Sequence, residues 1–548
     1  MSRRALVASI YAAAAVLAWV GWREMWFLTD DAFISFRYLS NAFDGRGLVW
    51  NPPPFLPVEG YTNFGWIALL GAVWATTGIA PPRAANALSF ALGLGTLAFA
   101  LRIAWRARLP ARFEPWRPAL AALALLGIAT NRTFVTWLSS GLETSLFTLC
   151  VVGFACLALE RDVATRPGRA LALGALAAAG ALTRPDGWLL VLGTAVLAAR
   201  AARPAALALL APLALPVAHL LWRRAFYGEW LPNTYYAKQL GAWPESGLRY
   251  AASFAVEYAL WVWLAAAGAW AVARVRRGGG PPALAPVVVA AVVAAHFAYY
   301  TLRVGGDHFE YRVYAHLVPL AFASFAWLLA DAGASPRATA ALLAAFVALS
   351  WPIPWMHHAL TRDLATREET HVLVAPVAPH LPPPLRWLAA PFDRWQAWLI
   401  PRHVCMRHRE HAVYLRSLEA LLPSRDEGAT LSWGDRDVLL AGNVGLLGWV
   451  LPNVAILDMV GLNDWVVART PPPPAALRKM AHERVAPPDY LACYAPNTVV
   501  APNGDVLVQR RAEPLDDARI AACERAWRAR AGEPIRPPPG LPPREAHP

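Results

Sequence analysis

The feature that most constrains this chain is the recurrence of apolar runs long enough to cross a bilayer as helix. The first, Ala5 to Gly21, follows Arg3 and Arg4, and a transmembrane helix needs roughly 17 to 25 predominantly apolar residues. Similar runs at 5–22, 84–103, 118–137, 142–159, 169–183, 187–200, 204–222, 251–273, 284–302, 316–330 and 338–355 predict about eleven crossings. A chain of 548 residues that is 57% hydrophobic and only 16% charged is not one soluble globular domain. The fold class is a polytopic α-helical membrane protein. Its 26 Trp and 15 Tyr suit the membrane–water interface, and its 48 Pro suit many broken loops.

Charge orders the topology. The net charge of +13 invites a nucleic-acid reading, but the arginines sit at the ends of the apolar runs, where topology explains them better. With the N-terminus inside, Arg102 to Arg112, Arg161 to Arg169, Arg200 to Arg203, Arg274 to Arg277 and Arg337 all fall on the cytoplasmic side. The odd count then puts everything after Trp355 outside. Residues 1–356 are therefore expected to form the membrane domain, with juxtamembrane helices in the first outer loop, 23–82. Residues 357–535 hold no spanning run. A helical stretch near Glu410 to Leu422 and alternating segments in ATLSWGD and PNVAILDMVGL predict a mixed α/β domain outside the membrane. The Pro-rich end, 536–548, has the composition of a disordered tail. Cys493 and Cys523 are either bridged, if that domain lies outside, or free. No Cys or His spacing matches a metal site.

With this topology the polar residues gather in the outer loops. Directly after the first run come Asp30 and Asp31, in TDDAFISFRYL. Two adjacent acids repel each other and resist desolvation, which stabilises little but suits a general base, its neighbour tuning it or holding a divalent cation. The alternative is acids at a helix N-terminus, a role that needs one of them rather than two. Arg37 and Asn41 follow on the same helix. In VEGYTNFGW, Glu59, Tyr61 and Asn63 flank a turn into an interfacial helix, where anchoring explains Tyr61 and Trp66 better than sugar contact. Ser140 and Glu143 in SSGLETSLF have capping-box spacing. Arg184 and Asp186 in TRPDGW form either a Pro-Asp-Gly turn with its own ion pair or a bidentate phosphate contact. Tyr235 and Lys238 in LPNTYYAK, and Asp307, His308 and Arg312 in GGDHFEYR, complete the candidate set.

In order, DDAFISFRYLSNAFDGRGLVWNP, VEGYTNFGW, SGLET, TRPDG, LPNTYYAK, GGDHFEYRVYAHLVP and DMVGLND resemble the membrane glycosyltransferases of GT-C type, most of all the AftB-like arabinofuranosyltransferases. The likeness runs from about Leu28 to about Arg469. The acidic pair and VEGYTN are its more specific parts, and the GGDHFEYR segment departs from the family's pattern at His308 and Glu310. The resemblance implies a polyprenyl-phosphate sugar donor, a glycan or protein acceptor outside the membrane, inversion at the anomeric carbon, and catalysis by Asp30 and Asp31 with Arg184, Lys238 and Arg312 on the donor phosphate.

The residues agree with such chemistry: no P-loop or Rossmann glycine pattern is present, and a lipid-phosphate donor needs no nucleotide pocket. Trp433, Trp449 and Trp465 could stack a glycan, although core packing is their commoner job. A transporter would carry ionisable residues at the midplane of its spans, whereas here charge is confined to their ends. A non-catalytic envelope scaffold leaves the acidic pair without a purpose.

Overall fold

The computed structural model describes residues 2–530 except 161, 239, 279, 281–282, 432–435 and 473–477. Trp433, Arg161 and the tail expected at 536–548 lie outside the described residues. The chain is a helical membrane protein. Among the described residues six helices are long and apolar enough to cross a bilayer: Arg3–Glu24, Pro81–Arg106, Arg203–Tyr227, Leu284–Val304, Arg312–Ala332 and Pro336–Thr361. A seventh is added if Pro244–Glu257 and Leu260–Arg276, bent by 93°, count as one span.

Other predicted runs form shorter helices for local reasons. The run at 118–137 stops at Ala129, because Asn131 accepts from the Phe134 amide and caps a new helix, Arg132–Thr136. Pro185 divides 169–183 from 187–200, giving Pro167–Thr183 and Trp188–Ala198. The run at 251–273 breaks where Ala259 adopts φ 51°.

The described chain divides into two compact units. The first comprises Met1–Thr29, Asn63–His219 and Gly241–Tyr414; the second comprises Asp30–Thr62, Leu220–Leu240 and Leu415–Pro548. The second unit thus recruits two loops from the N-terminal half in addition to the C-terminal stretch.

In the first unit, side chains from Thr144–Ala158, Pro167–Thr183 and Trp188–Ala198 pack a core around Phe147, Phe154, Leu173 and Leu190. The chain leaving Arg3–Glu24 is pinned to the SSGLET segment: the Ser140 amide donates to Phe27 O (2.8 Å) and the Thr29 amide to Ser140 O (3.1 Å). Ser140 adopts φ 81° to make this bridge, so the expected capping box does not form, and Glu143 is left for another partner.

The second unit is mixed α/β. Four strands, β1 (Val438–Ala441), β2 (Ala455–Asp458), β3 (Thr498–Val500) and β4 (Val506–Val508), lie in the order β2-β1-β3-β4. β1 runs parallel to β2 and β3, while β3 and β4 are antiparallel. A central parallel strand is covered on both faces, which suits the apolar run Val438–Ala441. Tyr490, Tyr494 and Ile520 pack on it, and a Cys493–Cys523 disulfide joins Pro488–Cys493 to Asp517–Ala529.

Arg37 nails the first outer loop into this unit. Its five N–H groups donate to Trp50 O, Gly448 O, Leu451 O, Asn51 Oδ1 and Val454 O, and its plane lies 4.7 Å from the Trp50 ring. A buried guanidinium without a carboxylate is costly, and burial lowers its pKa to about 9.

Candidate functional site

The candidate residues form two groups, one within each unit. In the second unit, Asp30 and Asp31 open the helix Asp30–Phe43. Successive helical residues point about 100° apart, so the two carboxylates have different surroundings. The Asp30 oxygens accept from the amides of Leu446 (2.7 Å) and Gly445 (3.1 Å), the first turn of the helix that follows β1. A Cβ on Gly445 would lie 1.9 Å from Asp30 O, so only glycine permits this approach. Burial raises the Asp30 carboxyl from 3.8 to about 6; the two amides pull it down, while the charges of Asp31 and Asp458 push it up.

The remaining candidates of this unit are mostly held by the protein itself. Glu59 is buried in a two-pronged ion pair with Arg223 (2.5 and 3.1 Å), although burial still lifts its carboxyl to about 7. Tyr61 is core: its hydroxyl meets that of Tyr227 at 3.2 Å and its ring lies edge-on to Tyr38. Arg37 has the carbonyl set described above. The DMVGLND segment is equally committed, since Asp458 accepts from the amides of Val460, Gly461 and Asn463, and Asn233 reaches Gly461 O and Asp464 O. Tyr235 and Lys238, by contrast, are exposed. Among the described residues no third carboxylate or imidazole joins Asp30 and Asp31 at metal-ligand spacing, and Asp30 oxygens that already accept backbone amides suit a clamp better than a cation.

In the first unit a second polar cluster links three of the sequence motifs. Arg184 donates to Glu143 Oε1 (2.9 Å), Asp186 Oδ1 (3.1 Å) and the Tyr300 hydroxyl (2.6 Å). Asn63 donates to the other oxygen of Glu143 at 3.2 Å. Asp186 is held in turn by His296 at 2.6 Å. Arg312 uses one edge of its guanidinium on Asp307 (Nε 2.9 Å, Nη2 3.3 Å), and among the described residues its Nη1 donates to nothing. The charges of Glu143 and Arg184 act on Arg312, so these groups share one electrostatic neighbourhood. His308 stands beside Arg312 in sequence but turns to His403, whose carbonyl meets its Nδ1 at 2.9 Å. An arginine with an unfilled Nη1, next to a second arginine, is suited to an anion with several oxygens.

Sequence reasoning missed Arg223 and His296. An arginine near the end of an apolar helix reads as snorkelling, and nothing in its spacing points to Glu59, 164 positions away. His296 did carry a signal, a titratable residue inside an apolar run.

No family model matches the chain. It is 31% identical over 348 residues to a terminal β-(1→2)-arabinofuranosyltransferase of Mycobacterium tuberculosis, covering 57% of this chain and 54% of that protein. A protein of the same name from Corynebacterium glutamicum is 29% identical over 354 residues, 58% of this chain and 49% of that one. The chain thus spans about half the length of the curated relatives it matches. Among solved structures, ArnT from Cupriavidus metallidurans bound to undecaprenyl phosphate matches at 14% identity and a TM-score of 0.46, over 83% of this chain and 86% of that chain. The resemblance to arabinofuranosyltransferases implied by the motif order is thus also found in alignments over 57% and 58% of the chain.

Proposed function

We propose that this chain is an inverting membrane glycosyltransferase that moves a sugar, a pentofuranose, from a polyprenyl-phosphate donor to an envelope glycan or protein acceptor outside the cytoplasmic membrane. The observation that carries this reading is the 31% identity over 348 residues to a terminal β-(1→2)-arabinofuranosyltransferase. The resemblance assigns the chemistry of such a transfer to the acidic pair and to Arg184, Lys238 and Arg312.

Asp31 is the general base. Asp30 acts as its positioning residue, because its oxygens hold the Gly445 and Leu446 amides. The acceptor hydroxyl gives its proton to Asp31 while its oxygen bonds to the anomeric carbon. The bond from that carbon to the phosphate oxygen breaks on the opposite face, and polyprenyl phosphate leaves as the anion. Arg312, through Nη1, and Arg184 meet the charge that develops on the leaving phosphate. The exposed Tyr235 and Lys238 serve the substrates, while Arg37, Glu59 and Tyr61 hold the second unit together.

The same proposal includes the topology: about eleven crossings, N-terminus inside, a membrane domain over 1–356 and an extracytoplasmic domain over 357–535. The Cys493–Cys523 disulfide supports the last point, since such bonds persist in oxidising compartments.

The test is transfer in vesicles from a polyprenyl-phosphate arabinofuranose to an arabinan acceptor. Asp31→Asn should lose about 100-fold or more in kcat, the scale of a lost general base, at an unchanged melting temperature. Asp30→Asn should lower both activity and stability. Wild-type turnover by Asp31→Asn would remove the base assignment, and no turnover by the unaltered protein with any pentofuranose donor would remove the substrate class.

A further inference from the structure

A groove of about 670 Å³ opens on the first unit between the start of Arg3–Glu24 and the end of Pro81–Arg106. Arg4, Val7, Ala8 and Tyr11 recur at i, i+3, i+4 and i+7, so they share one helix face. Ala98, Leu101 and Trp105 line the opposite wall. The two alanines are exposed, which leaves the space between the helices open to the side. At its inner end the Tyr11 hydroxyl crosses to Leu94 O at 2.9 Å and closes it.

The outer end is basic. The Arg3 guanidinium lies 5.4 Å from the centre of the Trp105 ring. Among the described residues neither Arg3 nor Arg4 has a carboxylate within ion-pair distance, and the exposed Glu114 feels Arg3 only at longer range. Other arginines near this end behave differently, for Arg102, Arg106 and Arg169 all converge on Glu160. Two cations with no carboxylate at ion-pair distance among the described residues, a half-buried indole and an apolar floor make an open surface groove of mixed character.

We propose that this groove binds one anionic glycerophospholipid of the surrounding leaflet. Its phosphate lies against Arg3 and Arg4, its glycerol against Trp105, and the upper part of an acyl chain over Val7, Ala8, Ala98 and Leu101. Charge complementarity selects the headgroup, because a zwitterionic lipid would bring a cation to a site that already holds two. The apolar length selects a lipid over a free anion.

The experiment uses the full chain in detergent, relipidated separately with phosphatidylglycerol and phosphatidylcholine, with retained lipid read by native mass spectrometry and stability by melting temperature. Phosphatidylglycerol should be retained at least tenfold over phosphatidylcholine and should raise the melting temperature. An Arg3→Gln, Arg4→Gln variant should lose that preference. Because those arginines also bear on membrane orientation, Ala8→Phe tests the groove without touching charge, and it should displace the lipid while the protein still inserts. Equal retention of the two lipids, retention unchanged in Ala8→Phe, or an equal stabilisation by inorganic phosphate alone would each overturn the assignment.

Discussion

The GGDHFEYR segment feeds two buried charge networks of the first unit, and they are built differently. Glu310 turns into one of them. Its carboxylate meets Arg132 (3.3 Å) and Arg407 (2.9 Å), and Arg407 grips both oxygens of Glu257 at 2.7 and 3.0 Å. Arg132 also reaches Pro354 O and His357. All four charged groups are 5% exposed or less, two acids balance two arginines, and Arg407 has a carboxylate on each side. Asp307 and Arg312 turn into the other network, where Arg312 keeps an edge without an acceptor among the described residues. One network balances its charges internally, although Arg132 Nε, Arg407 Nε and Glu310 Oε1 make no hydrogen bond among the described residues, and the other keeps a guanidinium edge to offer.

The largest effect should follow from unbalancing the first network. Arg407→Ala leaves Glu257 and Glu310 short of a partner, and removing one member of a buried ion pair costs about 3–5 kcal/mol. Loss of the folded protein from detergent extracts, measured by size-exclusion recovery and melting temperature, is the expected result. A double Arg407→Met, Glu257→Leu variant removes one charge of each sign and should regain most of that stability, because apolar side chains of similar volume often replace a buried pair at little cost. Failure of the pair to recover would mean that the network does more than hold the fold.

The open network should respond in activity instead. An Arg312→Gln, Asp307→Asn variant keeps the local charge balance and should melt near the wild type. Its kcat/KM for the lipid-linked donor should fall by about 100-fold to 1,000-fold, the scale of a lost donor to a developing anion. Arg312→Lys keeps the charge but loses the planar fork, so a smaller drop, on the order of tenfold, separates bidentate contact from charge alone. Full activity in the double variant would close the open network and make the contrast structural throughout.

How much of this was legible follows from the range of each interaction. The apolar runs announce a membrane protein because hydrophobic length is a local property, and the helices Asp30–Phe43 and His408–Leu421 appear where the pattern predicts them. Strand β2 lies inside the quoted PNVAILDMVGL segment. The shorter helices were less visible, since a single Asn131 cap or a left-handed Ala259 ends a helix without changing the hydropathy of its surroundings. In the candidate sites, residue types were legible and partners were not. Arg37, Glu59 and Tyr61 carry the chemistry of a binding site, yet their neighbours Gly448, Arg223 and Tyr227 lie 411, 164 and 166 positions away in sequence. Ser140 and Glu143 show the converse: the capping-box spacing is present, but the long-range bridge to Phe27 and the ion pair with Arg184 override it.

The acidic pair gives the smallest of these effects, one that depends on pH. Burial raises the Asp30 carboxyl from 3.8 to about 6, so the folded protein binds this proton more tightly than the unfolded chain. A group of that kind lends stability that is fully present at the acid end and is lost as the pH rises through the folded value. The wild-type melting temperature in detergent should therefore fall between pH 3.8 and about 6 by an increment missing from Asp30→Asn, which cannot ionise. Asp31→Asn should retain most of the increment, because burial is its main cause, and lose the part contributed by the Asp31 charge. Gly445→Ala, which drives a Cβ against Asp30 O, should lower the melting temperature and part of the activity. If Asp31→Asn instead removed the pH-dependent increment and Asp30→Asn left it intact, the two aspartates would have to exchange roles, and the base would be the residue that closes on the helix after β1.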